Sequence, residues 1–221
     1  MKKVLFLLLF AFSAQAQFNS KPYNQFSIES GVGYSMPVTG ISVNDQGSLG
    51  SLGHFNAGVR YMFNQDFGAK FTLQYDAFRE GDNGSNQTRF NIEGYYNVGN
   101  LFDLTFKTYE TVALYLHAGV GLGLVSSVND PNSIGYPGDG NERQGQAIIG
   151  LSPRFRISEK ISIVTDFSYY AIFKQHIYYN GTRFTPDNTS DFVAGQGAAH
   201  TTFSFGIVYN LGKKRYHADW Y

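Results

Sequence analysis

Cysteine is absent from all 221 residues, so the chain has neither disulfide staples nor an N-terminal thiol to carry a lipid anchor. It has no excess of either charge: 17 Lys and Arg balance 17 Asp and Glu. Nothing is therefore set aside to neutralise phosphates, and nucleic acid is not expected as a partner. The apolar run at Val4–Phe12 is about nine residues long, far short of the roughly 20 that cross a bilayer as a helix. No repeat, linker or second domain interrupts the chain before its last ten residues.

That short apolar run has a different use. Met1-Lys2-Lys3 precedes it as a positive stretch, and Ala14-Gln15-Ala16 follows with the small residues that signal peptidase requires. Residues 1–16 are therefore expected to be a signal peptide cleaved before Gln17, residues 17–211 the body, and 212–221 a short periplasmic tail. Losing Lys2 and Lys3 takes the charge from 17 − 17 to 15 − 17, or −2.

What is abundant is aromatic residues and glycine, with 16 Tyr, 20 Phe and 25 Gly. These residues fall into alternating stretches, and a period of two means β-strand. Eight strands are expected, at Gln25–Met36, His54–Phe63, Phe67–Phe78, Thr88–Val98, Thr111–Val125, Gln146–Ile157, Ile161–Gln175 and Thr201–Leu211. In the last, Phe203, Phe205, Ile207 and Tyr209 share one face, and Ser204, Gly206 and Asn210 the other. Across roughly 48 positions on the apolar faces no charged residue occurs, where about seven would fall by chance, as expected if a midplane charge costs about 2–4 kcal/mol. The apolar faces therefore point to lipid, and the fold expected is all-β, an eight-stranded antiparallel up-and-down transmembrane barrel. Mean hydropathy stays slightly negative because only alternate residues are apolar.

Two connections are short, Asn64–Asp66 and Ser158–Lys160, and a third on the same side, Gly99–Glu110, is longer. Those on the other side, Pro37–Gly53, Arg79–Gln87, Ser126–Gly145 and His176–Ala199, read as long polar loops. Short turns belong in the periplasm and long loops outside. On this reading Arg at Leu116 or Phe167 costs about 2–4 kcal/mol, whereas charge reversal at Glu142, taken as a loop residue, costs little.

Eight strands enclose only enough space for side chains. The inward set holds Glu29, Asp76, Glu93 and Asp166 with Arg60, Lys70, Arg89, Arg154, Arg156 and Lys174. Buried charges must be paired, so these ten are expected to form a salt-bridged network that fills the lumen and excludes a wide pore.

The last strand carries Ser204-x-Gly206-x-x-Tyr209-x-Leu211, similar to the signal read by the barrel assembly machinery. Together with Leu116-His117-Ala118-Gly119-Val120-Gly121, Gly150-Leu151-Ser152-Pro153-Arg154, Phe173-Lys174-Gln175-His176 and the tail from Gly212 to Tyr221, the chain resembles the N-terminal barrel of outer-membrane protein A (OmpA)-like proteins. The resemblance covers essentially the whole mature chain and implies an outer-membrane protein. In that family such a tail leads into a peptidoglycan-binding domain, which is expected to be absent because the sequence stops at Tyr221.

Catalytic signals are thin. His176 and His200 flank the last long loop on inward parity, with Lys174 and Ser204 near, and define the only candidate for lipid A acyl chemistry. Ser204 lies four residues from His200, roughly 13 Å along a strand, and no acid sits at a compelling spacing. The two His lack a third metal ligand. Gly119-Val120-Gly121-Leu122-Gly123 is followed by no helix and reads as lumen spacing rather than a phosphate loop. The Asn-x-Ser/Thr triplets at Asn83, Asn86, Asn180 and Asn188 read as loop composition. Pro153, on the lipid face, is expected to cause a bulge or weak pairing.

The function expected is structural or interactive, with the outer loops as recognition surface. An accessory subunit of a larger outer-membrane complex and a lipid A-modifying enzyme are the alternatives. Catalytic residues, metal and cofactor are expected to be none. The partners expected are outer-membrane lipid and lipopolysaccharide, the barrel assembly machinery and, as a third class, an outer-membrane or periplasmic protein.

Overall fold

A computed structural model describes residues 21–41, 50–128, 141–182 and 196–221. The expected signal peptide (1–16), parts of three long connections and Asn188 lie outside them. Eight strands follow one another: β1 (Phe26–Thr39), β2 (Ser51–Met62), β3 (Phe67–Glu80), β4 (Asn83–Asn97), β5 (Val112–Val128), β6 (Asn141–Arg156), β7 (Ile161–Gln175) and β8 (Gln196–Leu211). Each pairs antiparallel with the next, and β8 closes on β1.

Pairing runs from Ser27 through Arg60, Lys70, Glu93, Gly119, Ile148, Tyr170 and His200, and returns to β1 at Pro37. The stagger is 37 − 27 = 10 residues, and it tilts the strands so that eight can close around a side-chain-filled interior. Burial alternates along every strand, with Ser27, Glu29 and Ser35 buried where Phe26, Ile28 and Met36 are exposed.

Two expectations change. The stretch Arg79–Gln87 is no loop: β3 and β4 run on to a two-residue turn at Gly81-Asp82, closed by the Glu80–Asn83 pair. Gly81 takes φ +61° there, a left-handed conformation that glycine adopts without steric cost. Asn83 and Asn86 are consequently strand residues. Glu142 also lies within a strand, β6, because β5 and β6 extend to the Ser126–Asn141 pair. At Pro153 the expected weak pairing is present, without a bulge. Pairing with β7 skips Ser152 and Pro153 while the register continues unchanged from Leu151–Phe167 to Arg154–Val164. Finally, the long turn at the tail end contains a 3-10 turn, Val98–Phe102, and a short helix, α1 (Leu104–Lys107).

Candidate functional site

The lumen is closed at three levels. At the tail end Gly212, with φ +124°, sends the chain back toward the barrel mouth. A Cβ there would stand 2.1 Å from Asn24 Oδ1, so only glycine fits the turn. Beyond it the Lys214 amide donates to Asn24 Oδ1 (2.9 Å), the Asn24 amide to the Tyr216 carbonyl (2.8 Å), and the Ala218 amide to the Asn24 carbonyl (3.0 Å). These bonds carry His217, Asp219 and Trp220 into the mouth, where all three are buried.

Asp219 receives both terminal nitrogens of Arg60, at 2.8 and 2.6 Å, and the Tyr115 hydroxyl at 2.6 Å. Arg154 Nη1 stands 3.8 Å away. Burial by itself opposes ionisation of Asp219. Arg60, with His217 and Arg154 behind it, overrides burial and holds the carboxyl well below the usual carboxylate range. Trp220 packs with Tyr23, Met62, Tyr95, Ala113 and Tyr115 into one apolar cluster.

Above this plug Glu29 accepts from Arg60 Nε (3.0 Å) and Arg154 Nη2 (2.6 Å), and lies 2.9 Å from Lys70 Nζ. His117, stacked on Tyr95, sets its ring nitrogens 2.7 Å from Glu93 and 3.1 Å from Asp166. Arg60, Lys70, Arg89 and Arg154 thus face Glu29, Asp76, Glu93, Asp166 and Asp219 across the interior, with His54 and His117 set among the carboxylates. Ser152 and Ser168 also bond Asp166, and Thr72 bonds Glu93. The void left among Lys70, Thr72, Gln74, Glu93 and Tyr170 is about 10 Å3, room for a single water.

At the loop end Asp76 is bonded by Arg89, Ser35 and His54. His200 stacks on Tyr170 and meets the Tyr179 hydroxyl at 2.9 Å. Residues 177–181, just past β7, lie buried across this mouth. Ser85 Oγ donates to the Tyr179 carbonyl, Ser127 Oγ to the Gly181 carbonyl, and the Asn180 amide to the Ile41 carbonyl. Glu142 accepts from the amides of His176 and Ile177 at 2.8–2.9 Å and lies 3.0 Å from His176 Nδ1.

No known family pattern matches the chain, and no curated protein resembles it in sequence. Solved structures do resemble it. Neisserial surface protein A is 12% identical with a TM-score of 0.55, over 84% of this chain and 97% of its own. A major outer membrane protein from Thermus thermophilus is 12% identical with a TM-score of 0.52, over 85% and 98%. The fold is that of the closed eight-stranded barrels of outer-membrane proteins. At such identity the likeness concerns fold alone.

Within this barrel, eight of the ten residues expected in the lumen network are inside it, and two are not. Lys174 is exposed because a register shift between Ile172 and Gln175 turns both of those residues inward and leaves two between them. Arg156 sits at the tail-end rim, 22% exposed, and pairs with Glu110 at 2.8 Å. Asp219 and His117 take part instead. Asp219 comes from the expected tail and His117 from β5, and neither is among the ten expected residues.

The suspected catalytic group is not assembled. His176 engages Glu142, His200 engages Tyr179 and Tyr170, and Ser204 accepts from Asn56 at 3.0 Å. Ser204 and Gly206 face the lumen of β8, and Tyr209 and Leu211 its outer wall. Gly119–Gly123 lies within β5; a Cβ on Gly121 would stand 2.0 Å from Asn91 Oδ1. Among the described residues no group of His, Asp and Glu is arranged to hold a metal.

Proposed function

We propose that the chain is exported by cleavage before Gln17 and built into the outer membrane of a Gram-negative cell as a closed barrel of structural or interaction type. Its loop end faces outward among lipopolysaccharide and meets its partners there, while the tail end faces the periplasm. The barrel assembly machinery is proposed to read Ser204, Gly206, Tyr209 and Leu211 at the end of the last strand. The uncharged apolar wall supports the membrane setting, because a charge there would cost about 2–4 kcal/mol at the midplane.

One observation carries the role: among the described residues, side chains close the lumen at three separate levels. A barrel closed in this way offers its surfaces, and loops on a rigid scaffold are where recognition sits. Acyl transfer at His176 and His200 is not proposed, since each ring is already engaged by other partners.

Planar bilayers test the reading. Protein that has folded into them should give no large, stable current steps. Reproducible conductance of porin size would overturn the closed-lumen role.

A further inference from the structure

The three most exposed aromatic side chains among the described residues all lie in the connection from β4 to β5. Phe102, Phe106 and Tyr109 are 66%, 85% and 91% exposed, whereas Phe71 and Phe167 on the barrel wall are 49% and 54%. Leu101, beside them, is 63% exposed. In water such a cluster is unfavourable, and large exposed apolar patches mark interaction sites.

The segment is also built rather than slack. Two other turns at this end need only Asn64–Asp66 and Ser158–Lys160 to join their strands, so connection alone does not explain its length. Asp103, Tyr109 and Glu110 take φ of 53°, 52° and 58°, the only non-glycine residues with positive φ among those described. An L residue adopts that conformation at a cost, and such outliers gather at functional sites. Bonds from the Glu110 amide to the Thr105 carbonyl (2.7 Å) and from Thr108 Oγ1 to the Leu104 carbonyl (2.7 Å) hold the arrangement. Gly99 brings the segment against β5, where a Cβ would stand 3.1 Å from the Leu114 amide.

Its position completes a pattern. Around this end of the barrel, outward aromatics form a band: Phe26 on Tyr61 (4.6 Å), Tyr61 on Phe63 (5.5 Å) and Phe67 on Tyr96 (4.8 Å). The foot of β5 offers Val112 and Leu114, with no aromatic. The connection adds Phe102, Phe106 and Tyr109 at that place, next to the lipid-facing wall. Aromatic rings favour the layer where apolar chains meet headgroups, and short amphipathic segments lie within it.

We propose that the segment from Leu101 to Tyr109 is a membrane foot, lying in the headgroup layer of the leaflet at the tail end with Phe102, Phe106 and Tyr109 seated in phospholipid. The proposal rests on the reading of the barrel as membrane-spanning. It adds a contact with lipid outside the strands, and it fixes how deep the barrel sits.

The chain has no cysteine, so one substitution places one spin label. Phe106→Cys, Val120→Cys on the mid-wall and Asp82→Cys at the β3–β4 turn would each be labelled in the full chain and folded into phosphatidylcholine vesicles. A gel-mobility shift on heating confirms folding of each variant. Collision with oxygen, which concentrates in lipid, is then compared with collision with a water-soluble nickel chelate. The label at Phe106 should favour oxygen as the Val120 label does, with more nickel contact, while the Asp82 label favours nickel. Tyr109→Cys gives the same reading at a second site without removing Phe106.

A nickel-dominated signal at Phe106, with Val120 still reporting lipid, overturns the foot and leaves the spanning barrel intact. A nickel-dominated signal at Val120 overturns the spanning reading itself, and the foot with it. Shielding of Phe106 from both reagents means that protein covers the turn, and overturns the assignment to lipid.

Discussion

The two mouths of this barrel are closed by different physics. At the tail end one carboxylate, Asp219, meets Arg60, Arg154 and Tyr115. At the loop end residues 177–181 lie across the opening on bonds to several chain segments, and the ring of Tyr179 against Phe78 (4.8 Å) and His200 (5.8 Å) helps to seat them. Besides its bonds to Asn24 and the Trp220 cluster, the first closure turns on one buried charge, and breaking a buried pair leaves the partner charge uncompensated. The second spreads it over many bonds, each contributing about 0.5–1.5 kcal/mol. A concentrated closure fails as a unit, whereas a distributed one frays.

The largest effect is therefore expected at Asp219. Replacing it with Ala leaves Arg60 and Arg154 sharing Glu29 alone, and should destabilise the docked tail by about 3–5 kcal/mol. Amide exchange at Ala218 and Trp220 should quicken, and trypsin should gain access at Lys213, Lys214 and Arg215, with the strands unaffected. A tail that stays protected would show that the Trp220 cluster, rather than the charge, holds this mouth.

Acid applies the same test without a mutation. The folded carboxyl lies well below its ordinary range, so its contribution is complete above that range and is lost only as pH falls through the lowered value. The tail should remain docked through mildly acidic pH and release in strong acid. Release near the ordinary carboxylate range would contradict the pairing.

Tyr179→Ala acts on the other mouth. It removes ring pairs with Phe78 and His200 and a hydrogen bond to His200, about 2 kcal/mol beyond the loss of the ring's buried area. Exchange at the Asn180 and Gly181 amides should rise while the tail end stays unchanged. Loosening of both mouths together would mean that the lumen network couples them, and the contrast would fail.

Most of the fold is legible in the sequence because lipid outside and close packing inside force strict alternation. Strand starts at the loop end are not, since above the membrane the lipid constraint ends and polar stretches such as Asn83–Thr88 pair as strands without an apolar face. Of the lumen network, charge arithmetic holds more than parity does. Glu29, Asp76, Glu93 and Asp166 face six cations on parity alone, an excess of two that buried groups do not tolerate. The structure removes it by moving Arg156 and Lys174 out, which leaves four cations to four carboxylates. Asp219 enters from the tail as a fifth carboxylate, which parity along the strands does not count. The register shift that ejects Lys174 leaves no such mark, because nothing in Phe173-Lys174-Gln175 distinguishes a bulge from a regular strand.

The smallest effect tests a residue that reads from sequence as loop surface. Glu142 has 10% of its side chain exposed, and it holds the amides of His176 and Ile177, where the loop-end cover begins. Glu142→Gln keeps an acceptor oxygen but loses the charge that strengthens both bonds, a difference of about 1 kcal/mol. Exchange at the His176 and Ile177 amides should rise several-fold, and that at Asn180 should follow only weakly, because Ser85, Ser127 and Ile41 still hold the rest of the segment. Unchanged exchange would return Glu142 to the surface role that its sequence context suggests. If Glu142→Gln instead freed the whole segment as fully as Tyr179→Ala does, the loop-end closure would also hang on one charge, and the two mouths would be variants of a single design.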